Sequence, residues 1–170
     1  MPKPIEWPDN KEWKGRKPGP YQWYEIQDNI AYWKEFEEPK ILYQEIATFQ
    51  SFAWDDRGSY SNNKTFLVPG GSLYLLALLN SSVTWFFLGQ IVSKLQGGAY
   101  AMQTPYISQV PIPAIVDRTH IETLVERILT LKRNDPHADV SALEAEIDRL
   151  VYKLYELTEE EIAIIESKQH

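Results

Sequence analysis

The sequence predicts an α+β fold, a small mixed sheet with short buried helices followed by a C-terminal antiparallel helical hairpin. Three observations carry this expectation. Strand-length runs rich in β-branched and aromatic residues, separated by turn-formers, occupy residues 23–68. Two apolar segments of helical length follow, "SLYLLALLN" and "SVTWFFLGQIV". Beyond Pro111 and Pro113 the apolar residues recur at three and four.

Residues 1–22 are rich in Pro, Gly and charge, with Trp7 and Trp13 as isolated anchors, and read as an extended lead-in. A domain from residue 23 to 113 follows. Its expected strands are "WYEI", "KILYQEIA" and "KTFLV", with "WDDRGSYSNN" as a turn-rich connection. The second apolar helix opens on Ser82, a residue suited to an N-cap. Pro111 and Pro113 then stop both helix and central strand, since proline lacks the N–H that either ladder needs.

Residues 114–170 form the expected hairpin and a short terminal helix. Ile121, Leu124, Val125, Ile128 and Leu129 make one stripe, and Leu143, Ile147, Leu150, Val151, Leu154 and Leu157 make the next. Capping boxes are expected at Thr119-x-x-Glu122, Ser141-x-x-Glu144 and Thr158-x-x-Glu161. "RNDPHAD" is the turn between the two longer helices, and the apolar stripe is expected to bury against the sheet domain or a partner.

At 170 residues and 44% apolar composition the chain can bury a core of its own. The absence of cysteine removes disulfides, thiolate zinc sites and Cys nucleophiles and fits a reducing, cytoplasmic location. His120, His137 and His170 are scattered, so no metal site is expected unless it is all-carboxylate. The N-terminus has no apolar core of an export signal. Residues 73–92 approach the length of a membrane span, but Asn80-Ser81-Ser82 in their middle and the lack of a basic flank point to two buried helices and no membrane.

The net charge of −7 is unevenly placed. Residues 1–113 hold ten Lys or Arg against eleven Asp or Glu, whereas residues 114–170 hold seven against thirteen. From Arg57 to Pro113 there is no acid at all, only Arg57, Lys64 and Lys94. Such asymmetry marks an anion-facing side.

Catalytic candidates are thin. Asp28, Glu38 and Lys40 have the spacing of a metal-dependent nuclease core, but Pro39 breaks the strand that such a core requires, and solvated charges before a strand are the plainer reading. Pro8-Asp9 with Glu12-x-Lys14 is more cramped still. "QTPY", Gln103 to Tyr106, is a near miss to the Asn/Asp-Pro-Pro-aromatic loop of adenine amino-methyltransferases, with Gln for the acid or amide and Thr for the first Pro. No strand-glycine cofactor motif precedes it, so no catalysis is expected.

What remains is recognition. Lys94, Gln96, Gly97, Gly98, Tyr100, Gln103 and Tyr106 combine a phosphate-seeking cation, glycines that admit close backbone approach, rings, and amides able to address adenine. "GSYSNNK", with Asn62, Asn63 and Lys64, repeats that vocabulary. By composition alone the plainer reading is two surface turns, since these are ordinary turn residues.

The order of segments adds to this. "EEPKILYQEIA", "NNKTFLV", "LYLLALLNSSVTWFFL", a Gly pair with "ISQVPIP", and "EIDRLVYKLYELTEEEIAIIE" together resemble the TaqI-like C-terminal specificity domain, over about residues 21–166. That domain is the target-recognition part of adenine-specific DNA methyltransferases and of fused type IIG restriction-modification enzymes. The resemblance implies double-stranded DNA as partner, and a methyltransferase domain with its S-adenosylmethionine and catalytic loop lying N-terminal to this segment. It implies no cofactor in the segment itself, which is expected to be an excised fragment or a chain acting in trans. Lys94 and Gly97-Gly98 occupy the place where the family pattern implies a DNA-facing turn. Two other classes remain open, a protein-interaction module working through the helical hairpin, and a glycan-binding module using exposed rings and amides.

Overall fold

The computed structural model describes residues 22, 24, 25, 31–114 and 117–167. Trp7, Trp13, the basic residues of the lead-in and Asp28 lie outside the described residues. So do Trp23 and Ile26 of the expected first strand; its Tyr24 and Glu25 lie in a turn in which the Glu25 N–H donates to the Gln22 carbonyl at 3.0 Å.

A 3₁₀ helix, Ala31–Phe36, leads into β1 (Lys40–Gln44). β1 is the centre of a three-stranded sheet, flanked by β3 (Ala53–Asp55) and β4 (Thr65–Pro69). Glu45 breaks "KILYQEIA" in two, and β2 (Ile46–Ala47) pairs instead with β5 (Tyr100–Ala101). The fold is α+β as expected, but every described pairing is antiparallel, where a mixed sheet was expected. Parallel neighbours need a long crossover, usually a helix; residues 45–52 between β1 and β3 are too few to supply one, and residues 45–64 between β1 and β4 contain strands but no helix. β3 itself lies at the head of the expected turn "WDDRGSYSNN"; three residues show no alternation, and only its register with β1, Ile41 opposite Trp54, defines it.

Alternation along β1 sends Ile41 and Tyr43 into the core, where the Tyr43 ring meets Phe52 at 5.3 Å and Phe66 at 5.4 Å. Against that core lie α1 (Leu73–Asn80) and α2 (Ser82–Ile91), bent by 61°. The polar triplet between them makes the bend. Asn80 brackets Phe52, accepting from its N–H at 3.1 Å and donating to its carbonyl at 2.9 Å. Ser81 closes α1 and opens α2: its hydroxyl donates to the Leu78 carbonyl at 2.7 Å and accepts from the Thr84 N–H at 3.3 Å. The N-cap of α2 is therefore Ser81 rather than Ser82. Ser82 donates through N–H and hydroxyl, at 2.9 and 2.5 Å, to the carboxylate of Asp148 in the C-terminal helical part. Among the described residues no single helix is long and apolar enough to cross a membrane.

After the four-residue helix α3 (Thr104–Ile107), Pro111 and Pro113 lead the chain out, their carbonyls accepting from Tyr155 at 2.6 Å and Tyr74 at 2.8 Å. Burial, with Tyr74 beside it, pushes the Tyr155 phenol up to about 12, so it remains a donor. α4 (Thr119–Asn134) and α5 (Ser141–Leu154) pack on each other, and α6 (Glu159–Ser167) closes the chain. Their stripe meets α1 and α2 rather than the sheet, and one buried cluster runs from Ile41 through Leu78 and Leu88 to Leu124 and Val151.

Of the three expected capping boxes one forms. The Thr158 N–H donates to the Glu161 carboxylate at 2.8 Å while the Glu161 N–H donates to the Thr158 hydroxyl at 3.3 Å. At the other two helices an aspartate takes the role: Asp117 accepts from the Thr119 N–H at 2.9 Å and Asp139 from the Ser141 N–H at 3.0 Å. Position decides: Thr119 and Ser141 are already the first residues of their helices, and the Glu122 and Glu144 N–H groups donate to the Arg118 and Val140 carbonyls, whereas Thr158 stands just before α6.

Candidate nucleic-acid interface

Glu45 is the junction on which the two candidate turns meet. Its N–H donates to the Lys64 carbonyl at 2.9 Å, and its own carbonyl accepts from the Met102 N–H at 2.8 Å. Residues 62–64 and 100–103 therefore lie on either side of one bend in the chain. In the first turn the Asn62 side chain accepts from the Lys64 N–H at 2.9 Å, which commits it to holding the turn, while Asn63 is exposed. Lys64 is 69% exposed and pairs with the Glu45 carboxylate at 2.8 Å.

The second element is a hairpin. Lys94 bridges Tyr100; the Leu95 N–H donates to the Ala99 carbonyl at 2.7 Å and the Ala101 N–H to the Ser93 carbonyl at 3.0 Å. At its tip Gly97 and Gly98 have φ of 82° and 80°, a left-handed pair that side chains rarely adopt, and open space surrounds both. Conformation, not crowding, demands glycine there. β5 is the returning arm of this hairpin, and β2 adds a third strand with Ala47 opposite Tyr100.

Tyr100 clamps the hairpin to α2. Its ring lies 4.6 Å from that of Trp85, and its hydroxyl comes within 2.6 Å of where a Cβ on Gly89 would stand. Half-buried Tyr106 adds a second tie, its hydroxyl 3.2 Å from that of Ser93. Lys94, Gln96 and Gln103 remain exposed, and among the described residues no carboxylate forms an ion pair with Lys94. Gln103 precedes α3, so "QTPY" is a helix start: Thr104 and Pro105 form its first turn and the Thr104 hydroxyl lies 3.4 Å from that of Tyr43.

Lys40, from the nuclease-like spacing, is not a solvated charge. It is fully buried on β1, donating to the Asp55 carboxylate at 2.5 Å and to the Phe36 carbonyl at 2.6 Å. Asp55 also accepts from the Arg57 N–H at 3.1 Å and the Ser59 N–H at 2.9 Å. Burial pushes its carboxyl up, but Lys40 and these donors outweigh that and hold it down at about 2. Among the described residues no group of three His, Asp or Glu converges as metal ligands would.

The sequence reading missed Glu45, which lies outside the acid-free stretch and enters the site through strand pairing. It also missed the exposed apolar side chains beside the hairpin, Ile46, Phe49 and Leu95. The signal available for Ile46 was its place next to the charged break in "YQEIA".

Residues 6–112 match the TaqI-like C-terminal specificity domain. The chain belongs to that family. The match takes in the sheet, α1, α2, the glycine hairpin and α3, and ends one residue before Pro113, so that α4, α5 and α6 lie beyond it. The Type II methyltransferase M.BstVI of Geobacillus stearothermophilus is 25% identical over 154 residues, which cover 88% of this chain and 25% of the relative. The chain thus spans about a quarter of that relative's length. Both turns that meet at Glu45 fall within the specificity-domain match.

Proposed function

We propose that this chain is the sequence-specific DNA-recognition module of an adenine-specific DNA methyltransferase or fused restriction-modification enzyme, and that it catalyses nothing by itself. One observation carries the reading: two polar turns meet at Glu45, on a specificity domain whose residues 57–113 hold no acid in a chain of net charge −7. Lys94 supplies a phosphate contact, Gly97-Gly98 the close backbone approach, and Gln96, Gln103 and Asn63 the amides that address base edges. Asn62, Tyr100 and Tyr106 hold these elements in place, and Lys64 is released from Glu45 to phosphate. The methyltransferase domain with its S-adenosylmethionine belongs to the rest of the parent enzyme, which works in the cytoplasm on double-stranded DNA.

Binding of the chain to duplexes selected from a random library tests this. So few cations neutralise about three phosphates, so log affinity should fall against log salt with a slope near about −3. Lys94→Ala should flatten that slope by about one and weaken all duplexes alike; Gln103→Ala should cost about 1–3 kcal/mol on the preferred duplex alone. If both variants bind every duplex as the wild type does, this face is not the reader.

A further inference from the structure

Ladder register sorts the ribbon beside the hairpin into two faces. Ala47 lies opposite Tyr100 and Tyr100 opposite Lys94, so these three side chains share one face, the one on which Tyr100 meets Trp85 of α2. Ile46 lies opposite Ala101, one residue out of step with that column, and Leu95 alternates with Lys94; both therefore point to the other face. That face is open. Ile46 is 49% exposed and Leu95 40%, and Phe49, two residues beyond β2, is 62% exposed.

Two apolar side chains turned to one face of a ribbon, in a chain with a continuous core of its own, are available for contact with a partner. The surroundings say what kind of partner it fits. Lys94, next to Leu95 but on the opposite face, forms no ion pair with an acid among the described residues, so the edge of the ribbon carries a cation beside the apolar side chains. The left-handed Gly97-Gly98 tip of the ribbon lets backbone approach where a side chain would stand off. The apolar group that the major groove presents is the C5-methyl of thymine.

We propose, resting on the DNA-recognition reading, that Ile46 and Leu95 contact thymine methyl groups and so favour thymine at defined positions of the target. Specificity then has two chemistries on one ribbon, amides for hydrogen-bonding edges and an apolar ridge for methyls.

The test uses the full chain and the duplex preferred in a random-library selection, with each dT replaced in turn by dU, which removes the methyl and leaves the pairing intact. At one or two positions the loss should be about fourfold, the value of one buried methyl. In Leu95→Ser or Ile46→Ser the same dU replacement should cost nothing further, while the salt slope stays that of the wild type. Both side chains are exposed, so the variants should melt with the wild type; the dU series on the wild-type chain decides the matter even if one does not. Sequence-specific binding that tolerates every dU, or a methyl effect that persists in both variants, overturns this inference and leaves DNA recognition standing. Failure to prefer any duplex overturns the reading beneath it.

Discussion

Replacing Lys40 by Met tests the buried charge pair that closes one end of the sheet. Lys40 is opposite Asp55 in the ladder and fully buried, so the variant leaves a buried carboxylate whose remaining donors are the Arg57 and Ser59 groups. The depression of Asp55 from 3.8 to about 2 corresponds to about 2 kcal/mol of stability from all its partners together. Removing one member of a buried pair costs more, about 3–5 kcal/mol, because the other charge stays desolvated. A loss of about 3 kcal/mol is expected, which at an m-value of about 2 kcal/mol/M moves the urea midpoint down by about 1.5 M. Tryptophan fluorescence follows the transition, since Trp54 is next to Asp55. Acid supplies the second arm. A depressed carboxyl stabilises the fold above its unfolded value of 3.8 and loses that contribution as pH falls through about 2, so wild-type stability should drop across this window. Without Lys40 the carboxyl loses the largest influence holding it down, so it is less depressed and the gap between variant and wild type should narrow on acidification. A variant within about 0.5 kcal/mol of wild type at neutral pH, or a gap that stays constant into acid, would refute the reasoning.

Two further outcomes follow from the bend and the clamp. Gly89→Ala should gain about 1 kcal/mol by helix propensity alone, yet its Cβ would stand 2.6 Å from the Tyr100 hydroxyl, so a lower melting temperature is expected, recovered in part when Tyr100→Phe removes that oxygen; simple stabilisation would show that the clamp yields freely. Asp148 accepts twice from Ser82, but burial is the larger influence and raises its carboxyl above 3.8, with Ser82 opposing. Its contribution is therefore greatest below the unfolded value and shrinks as pH rises through the folded one, so the stability gap between wild type and Asp148→Asn should widen on acidification, and a flat gap in urea titrations across that range would contradict the assignment.

How much of this was legible in the sequence depended on whether the deciding interaction was local. The segments of α1 and α2 were readable because their apolar runs and serine caps lie within a few residues. Their bend was half-readable: Asn80-Ser81-Ser82 argued against a membrane span, but two partners of that triplet, Phe52 and Asp148, are remote. β3 was illegible because its identity lies in pairing with β1. The capping boxes show a subtler limit. Thr119 and Ser141 had the right residue three positions on, but each lies one residue inside its helix, where an aspartate two positions back takes its N–H, and the sequence pattern does not fix a helix start to one residue. Thr158 stands just before its helix and formed its box.

The same distinction separates the parts of the candidate interface. Lys94, the glycine pair and Gln103 stood out because their vocabulary is local. The reason they form one surface was hidden, because it is tertiary: Glu45 joins the two turns through its backbone, and Gly89, Trp85 and Tyr100 seat the hairpin on α2. A reading loop made only of glycine and amides would lose much of its binding free energy to ordering on contact. Here two backbone hydrogen bonds close the hairpin behind its glycines, Leu95 to Ala99 and Ala101 to Ser93, a third from Gly98 to Leu95 closes the tip, and the Tyr100 ring fixes its base. At the tip a side chain on Gly97 or Gly98 would meet open space. Rigidity at the base and bare backbone at the tip is the division of labour that recognition at close range requires. It follows that Tyr100→Ala should weaken binding to the preferred duplex more than to unrelated duplexes, without removing any group proposed to touch DNA, and equal weakening on both would place Tyr100 outside that role.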